Sequence, residues 1–372
     1  MLMKKKFIYL IFSLIIIAIL FFILFKPKEP IKIGLMVTLT GVYPDLGREI
    51  RNGALLAVQM INEEGGIKGK LVELIIKNNK YSIEQAKLNY EELVKENVVA
   101  VIGPATSTTA KNLLPIINQK KVLTIAPTPT STELAGLDDY MIRLRPTNKE
   151  DATTLAKYVT ENLKVKKVAI IHDVINPSYT KDFINNFKPH FSKEVSFFMY
   201  PFDEKNISIK NLAKQILSQS PDVVLIITEA YNASLLIQNL RILNPKILIL
   251  ISPWAKSPKL IEYGGERVEG VFTVDTFDEE YKGKLYEKFK NKFKERFGHN
   301  PNFAAVNGFE AVMLIKKAIE KGAVKETMKE TILKIGKFEG LQGEIIINKF
   351  GDRETKSFVF KIKNGKFTRV EQ

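Results

Sequence analysis

Val98-Val99-Ala100-Val101-Ile102-Gly103-Pro104-Ala105-Thr106-Ser107-Thr108-Thr109 runs from an apolar stretch, through a Gly-Pro break, into four hydroxyl residues. A short β-branched run bounded by Gly and Pro reads as a buried strand, and Ser or Thr ahead of a periodic segment reads as a helix start. The stretch therefore predicts a strand over 98–102, a turn, and a helix from about Ser107. Ala126-Pro127-Thr128-Pro129-Thr130-Ser131-Thr132-Glu133 repeats the arrangement after the apolar run Val122 to Ile125.

Outward from these two turns the same alternation continues. Ile31 to Val37 and Leu71 to Ile76 read as strands. Arg48 to Glu63 reads as a helix, with Ala54, Leu55, Val58 and Ile61 at three-to-four spacing and Gly65-Gly66 as its stop. Ser82 caps a helix running to about Glu96. The rhythm then recurs, with strands over 168–171, 195–198, 223–227 and 247–251 and helices near 150–163, 178–188, 207–219 and 231–243. Helices follow over 279–297, 302–320 and 325–334, and two further strands lie at 344–347 and 358–362. Strands at this spacing with helices between them predict parallel sheets covered on both faces. Two successive runs predict an α/β protein of two doubly wound parallel-sheet lobes, each with its ligand edge beyond the carboxyl ends of its strands.

Phe7 to Phe25 is an apolar run without charge, Gly or Pro, preceded by Lys4-Lys5-Lys6. Nineteen residues at about 1.5 Å each span roughly 28 Å, close to the hydrocarbon thickness of a bilayer. The leading positive charge predicts a single-pass anchor in the cell membrane with the body on the extracytoplasmic face. The competing reading is a cleaved signal peptide, but Ile23-Leu24-Phe25-Lys26-Pro27 offers no small-residue cleavage site. The chain has no cysteine, which removes disulfides, thiolate metal sites and a lipid-modified cysteine anchor.

The formal net charge of +15 could suggest nucleic acid, but 47 of the 56 basic residues are lysine, spread along the chain. Lysine lacks the planar fork that reads phosphate and base edges, so no nucleic-acid partner is expected. Enzyme signatures are missing too. Gly65-Gly66-Ile67-Lys68-Gly69-Lys70 has Glu64 and Leu71 where a phosphate loop needs Gly and Ser or Thr, so it reads as a turn. His172, His190 and His299 have no metal-ligand spacing. No catalytic residue, metal or cofactor is expected. What remains is the pair of hydroxyl-rich turns. Free amides at a helix start, with a Ser or Thr hydroxyl, make a neutral cradle for an anion such as a carboxylate. The same residues also serve as plain N-caps.

At these residues the chain resembles the type I periplasmic binding proteins of the Leu/Ile/Val-binding kind, the solute receptors of branched-chain amino acid and related ABC importers. The likeness runs from Ile31 to about Phe360. It is carried by Ile33-Gly34, Leu39-Thr40-Gly41, Gly47, Gly53-Ala54, Ile61 to Gly69, Val101 to Pro104 with Ser107, Ala126-Pro127-Thr128, and Arg143 with Arg145. It implies two lobes joined by a hinge of three crossovers near 145, 275 and 340. Residues 1–30 would form the anchor, 31–145 with 276–339 one lobe, and 146–275 with 340–372 the other. It implies a small-molecule ligand in the cleft and ABC permease subunits as partners.

By position, the resemblance gives a ligand carboxylate to Ser107 and the amides near Ala105 and Thr106, and an amino group to Thr128 and Thr130. Tyr179 would cover the ligand from the second lobe, with Leu46 and Tyr43 nearby. One departure stands out. Where relatives that bind aliphatic amino acids often carry an acid facing the ammonium, this chain has Trp254. Glu229 could supply that charge, or the ligand lacks an ammonium and Trp254 stacks on its body. A second function, a sensory receptor working with a separate signalling partner, uses the same fold.

Overall fold

The computed structural model describes residues 28–370, so the apolar run at 7–25 lies outside the described residues. Among the described residues no helix is long and apolar enough to cross a membrane.

The first lobe opens with β1 (Ile31–Val37), α1 (Pro44–Glu63), β2 (Val72–Asn78), α2 (Ile83–Lys95), β3 (Val101–Ile102), α3 (Ser107–Lys120), β4 (Thr124–Ala126) and β5 (Met141–Arg143). Its sheet has the order β2-β1-β3-β4-β5, all parallel, with Gly34 opposite Val101, Val101 opposite Thr124 and Thr124 opposite Met141. The order reverses around β1, so the turns after β1, β3 and β4 open at one edge. The expected helix starts hold: Ser82 accepts from the Gln85 amide and Thr106 from the Thr109 amide. The Gly65–Lys70 segment is a tight turn closed by an Ile67–Lys70 bridge, as its composition predicts.

The second lobe contains α4 (Asn148–Asn162), β6 (Lys167–Asp173), α5 (Pro177–Phe187), β7 (Ser196–Phe202), α6 (Ile209–Ser218), β8 (Val223–Ile227), α7 (Ala230–Leu243), β9 (Leu248–Ile251), α8 (Pro258–Gly264) and β10 (Phe272–Asp275). The chain returns to the first lobe with α9 (Lys284–Phe297), α10 (Phe303–Glu320) and α11 (Met328–Ile335). It then forms β11 (Lys337–Gly340), β12 (Gly343–Ile347) and β13 (Arg353–Glu354), a small antiparallel sheet. Finally β14 (Phe358–Lys363) and β15 (Lys366–Arg369) complete the second sheet, in the order β15-β14-β10-β9-β8-β6-β7. The pairs β10–β14 and β14–β15 are antiparallel and the rest are parallel.

Helices α1 and α10 form the centre of the first lobe. They approach closely because each carries glycine at the contact: a Cβ on Gly53 would meet the Ala305 carbonyl oxygen at 1.9 Å, and one on Gly308 the Ile50 carbonyl oxygen at 2.2 Å. Phe338, Leu341, Ile345 and Ile347 enter this same core. We therefore place residues 340–354 with the first lobe and the third crossover between Glu354 and Phe358, rather than near 340. The strands β5 and β10 were not foreseen. Each is short and ends in a charged residue, Arg143 and Asp275, that is buried by pairing rather than exposed.

Candidate functional site

The turns after β3 and β4 are tied to each other. The Thr128 hydroxyl donates to the Ala105 carbonyl at 2.5 Å. Ser107 Oγ accepts from the amides of Thr130 and Ser131 at 3.2 and 3.3 Å, so its own proton remains to be donated elsewhere. The Thr130 hydroxyl donates to Asn148 Oδ1 at 2.7 Å, and Asn148 Nδ2 donates to the Tyr179 carbonyl at 3.1 Å. The amide and hydroxyl of Thr108 both donate to Asn176 Oδ1, at 3.2 and 2.9 Å. One amide of the α3 terminus, expected to face an anion, is thus held by an amide oxygen from the opposite lobe.

Eight of the ten residues singled out in the sequence line one small cavity between the lobes: Leu46, Ala105, Thr106, Ser107, Thr128, Thr130, Tyr179 and Trp254. Arg145, Asp151, Asn176, Pro253 and Phe303 complete its wall. Its volume is about 30 Å³, room for a water or two, since one water needs about 10–15 Å³ on this measure. Any solute of amino-acid size requires the lobes to part or the wall to move. Tyr43 and Glu229 are placed elsewhere. They line a second space of about 590 Å³ that shares Leu46, Trp254 and Phe303 with the first. The Glu229 carboxylate is committed to capping α7, accepting from the amides of Tyr231 and Asn232 at 2.7 and 2.6 Å. Burial raises its pKa, those two amides lower it, and the carboxylates of Asp45 and Glu204 raise it further. The Trp254 ring meets Tyr43 and Tyr179 edge-on, with centroids 5.3 and 5.5 Å away, and forms the partition between the two spaces.

Beneath the small cavity lies a buried ionic network that joins the crossovers. Arg145 bonds to Asp275 at 2.5 Å, contacts Asp151 at 3.4 Å and lies 4.8 Å over the Phe303 ring. Lys256 Nζ is 3.6 Å from the other Asp275 oxygen and 3.1 Å from Glu279. The Ser357 hydroxyl donates to Asp151. Burial alone would lower the Arg145 pKa, but Asp275 and Asp151 hold it above its ordinary value. Burial pushes Asp151 up to about 6 against the pull of Arg145 and the Ser357 hydroxyl. Asp151, Asn176, Pro253 and Phe303 were missed in the sequence, and Arg145 was legible only through the resemblance.

Four further contacts bridge the lobes. The Tyr43 hydroxyl donates to Asp173, and Thr132 donates to Asp182 through its hydroxyl and through its amide at 3.0 Å. Lys259 pairs with Asp45 at 2.7 Å, and Tyr81 donates to the Ile175 carbonyl at 3.3 Å. Together with Thr108–Asn176 these tie the two lobes to each other. Among the described residues no cluster of His, Asp and Glu is arranged to hold a metal ion.

Residues 30–366 match the family model described as periplasmic binding protein. The chain is 27% identical over 356 residues to Leu/Ile/Val-binding protein homolog 3 of Brucella melitensis, covering 92% of this chain and 94% of that protein. Two solved structures share its fold. One is the branched-chain amino acid transporter substrate binding protein LivJ of Streptococcus pneumoniae in complex with isoleucine (TM-score 0.84, 21% identity, 92% of this chain and 99% of that one). The other is a solute binding protein of an ABC transporter from Rhodopseudomonas palustris in complex with 3,4-dihydroxybenzoic acid (TM-score 0.82, 21% identity, 93% and 97%). With two α/β lobes, a cavity lined by hydroxyl-bearing turns and a family match over nearly the whole described body, the chain belongs to the type I periplasmic binding proteins.

Proposed function

We propose that this chain is the extracytoplasmic solute receptor of an ABC importer, and that it captures a small carboxylate-bearing solute, an amino acid or a related compound, between its lobes. The observation that carries this reading is Ser107. Its oxygen is occupied by two amides and its proton is not, at the mouth of a helix and on the wall of the interlobe cavity. A hydroxyl donor at a helix start suits a carboxylate. The solutes named for the two structural neighbours, isoleucine and 3,4-dihydroxybenzoic acid, share a carboxylate and little else, which supports the same reading. In the bound form Tyr179 and Trp254 would cover the solute from the second lobe, with Thr128 and Thr130 beside it. Closure would follow a hinge motion about the three crossovers.

The apolar run Phe7 to Phe25 supports a membrane anchor that keeps the body near its permease subunits. A thermal-shift screen of amino acids, aromatic acids and small carboxylates tests the receptor reading, because a specific solute raises the melting temperature by mass action. A response confined to non-acids would refute it. Amino-terminal sequencing of protein purified from membranes tests the anchor: a mature start near residue 30 would refute it.

A further inference from the structure

The 590 Å³ space behind Trp254 is of ligand size, while the cavity beside Ser107 is not. Its wall carries six carboxylates, Asp45, Glu49, Asp203, Glu204, Glu229 and Glu262, against Lys205, Lys259 and His299, on a chain whose net charge is +15. Several of these acids already have partners. Asp45 pairs with Lys259, Glu229 caps α7, and Glu204 accepts from Asn232. Glu49 differs. It is 8% exposed, one oxygen lies 3.5 Å from His299 Nε2, and the other is buried with no partner among the described residues. A buried carboxylate oxygen without a donor is costly, and Glu49 lines the space, so a positively charged group entering it lies beside this carboxylate. The other lining side chains suit the same visitor. Tyr43, Trp254, Tyr231 and Tyr263 line the space, and aromatic faces attract ammonium and guanidinium groups.

We propose that this space is a subsite for a cationic end of the solute, an ammonium or guanidinium seated against Glu49 and the surrounding aromatic rings. The inference rests on the cleft reading above and sharpens it. A solute with its carboxylate at Ser107 and a cation beyond the Trp254 partition is preferred over one with an aliphatic tail.

Burial pushes Glu49 up to about 7, with His299, Lys259 and Arg51 drawing it down and Asp45 raising it. A bound cation stabilises the ionised form, so binding releases a proton near neutral pH. Affinity for the cationic solute therefore rises from pH 6 to pH 8.

The test is calorimetric titration of wild type and Glu49→Gln with L-arginine, with its near-isosteric neutral analogue L-citrulline, and with agmatine, which keeps the guanidinium and lacks the carboxylate. The expected result is arginine binding about ten- to a hundredfold tighter than citrulline in wild type, with the difference erased in Glu49→Gln. Equal affinities in wild type, or a preference that survives in Glu49→Gln, overturns the subsite and leaves the carboxylate cradle standing. If neither amino acid binds, agmatine decides. Agmatine binding that is lost in Glu49→Gln retains the subsite while the cradle falls, and no agmatine binding overturns the subsite as well. Urea melts of both proteins establish that the variant is folded.

Discussion

Replacing Arg145 by methionine removes the charge that holds two crossovers together while keeping most of the side-chain length. The two carboxylates it leaves behind are not equivalent. Asp275 keeps Lys256 Nζ at 3.6 Å and the amides of Thr276 and Phe277 at 2.7 and 3.3 Å. Asp151, 1% exposed, keeps only the Ser357 hydroxyl. Breaking a buried pair by removing one partner costs about 3–5 kcal/mol because the other charge is stranded. That is a large share of the roughly 5–15 kcal/mol that holds a protein folded. Asp151 can escape by taking a proton, and its pKa is already raised to about 6 with Arg145 present. The loss in Arg145→Met should therefore be largest at pH 7.5 and shrink toward pH 5. Asp151→Asn in the same chain should recover about 2 kcal/mol or more of it at pH 7.5. Urea unfolding of wild type, both single variants and the double variant at the two pH values measures all of this. A loss below about 1 kcal/mol at pH 7.5, or one that is equal at both pH values, would refute the network as described.

Asp151 also predicts a pH dependence in the wild type. Its folded pKa lies above the unfolded value, so the native state holds a proton that the unfolded chain has lost. This group's contribution to stability is present below about pH 4 and declines by about 1.4 kcal/mol per unit up to about pH 6. Urea melts across that range should be flatter in Asp151→Asn, and an unchanged slope would contradict the assignment. Gly53→Ala places a Cβ 1.9 Å from the Ala305 carbonyl, backbone against backbone, so α1 and α10 must separate. A loss of about 1–3 kcal/mol is expected from chemical denaturation, with no loss arguing against the close contact. Tyr43→Phe deletes the hydrogen bond to Asp173 across the lobes. Small-angle scattering should register a larger radius of gyration for the variant, and an unchanged radius would show that this contact does not hold the lobes closed.

The alternation of strands and helices was readable from apolar runs and Gly or Pro breaks because most strands are buried on both faces. β5 and β10 escaped because Arg143 and Asp275 sit at their ends, and a charge in a short run argues for exposure unless its partner is known. Arg143 pairs with nearby Asp139 and distant Asp352, and Asp275 with Arg145, 130 residues before it. The third crossover was misplaced for a similar reason. Nothing in Gly343 to Ile347 tells which core Ile345 and Ile347 will enter. The hydroxyl turns were legible because their chemistry is local to one turn. Asp151, Asn176 and Phe303 join the same wall from three separate segments, and only the folded chain brings them together. Glu229 was read for its charge, while its place ahead of α7 makes it a cap.

The central claim is that a carboxylate is held by the turns after β3 and β4. Its most direct test is a calorimetric titration of wild type with the tightest-binding amino acid of a full panel and, in parallel, with that amino acid's carboxamide. A hydrogen bond to a charged group is worth roughly 1.5–3 kcal/mol, so the carboxamide should bind about ten- to a hundredfold more weakly, and Ser107→Ala should narrow the gap. Equal affinity for acid and amide would contradict the account.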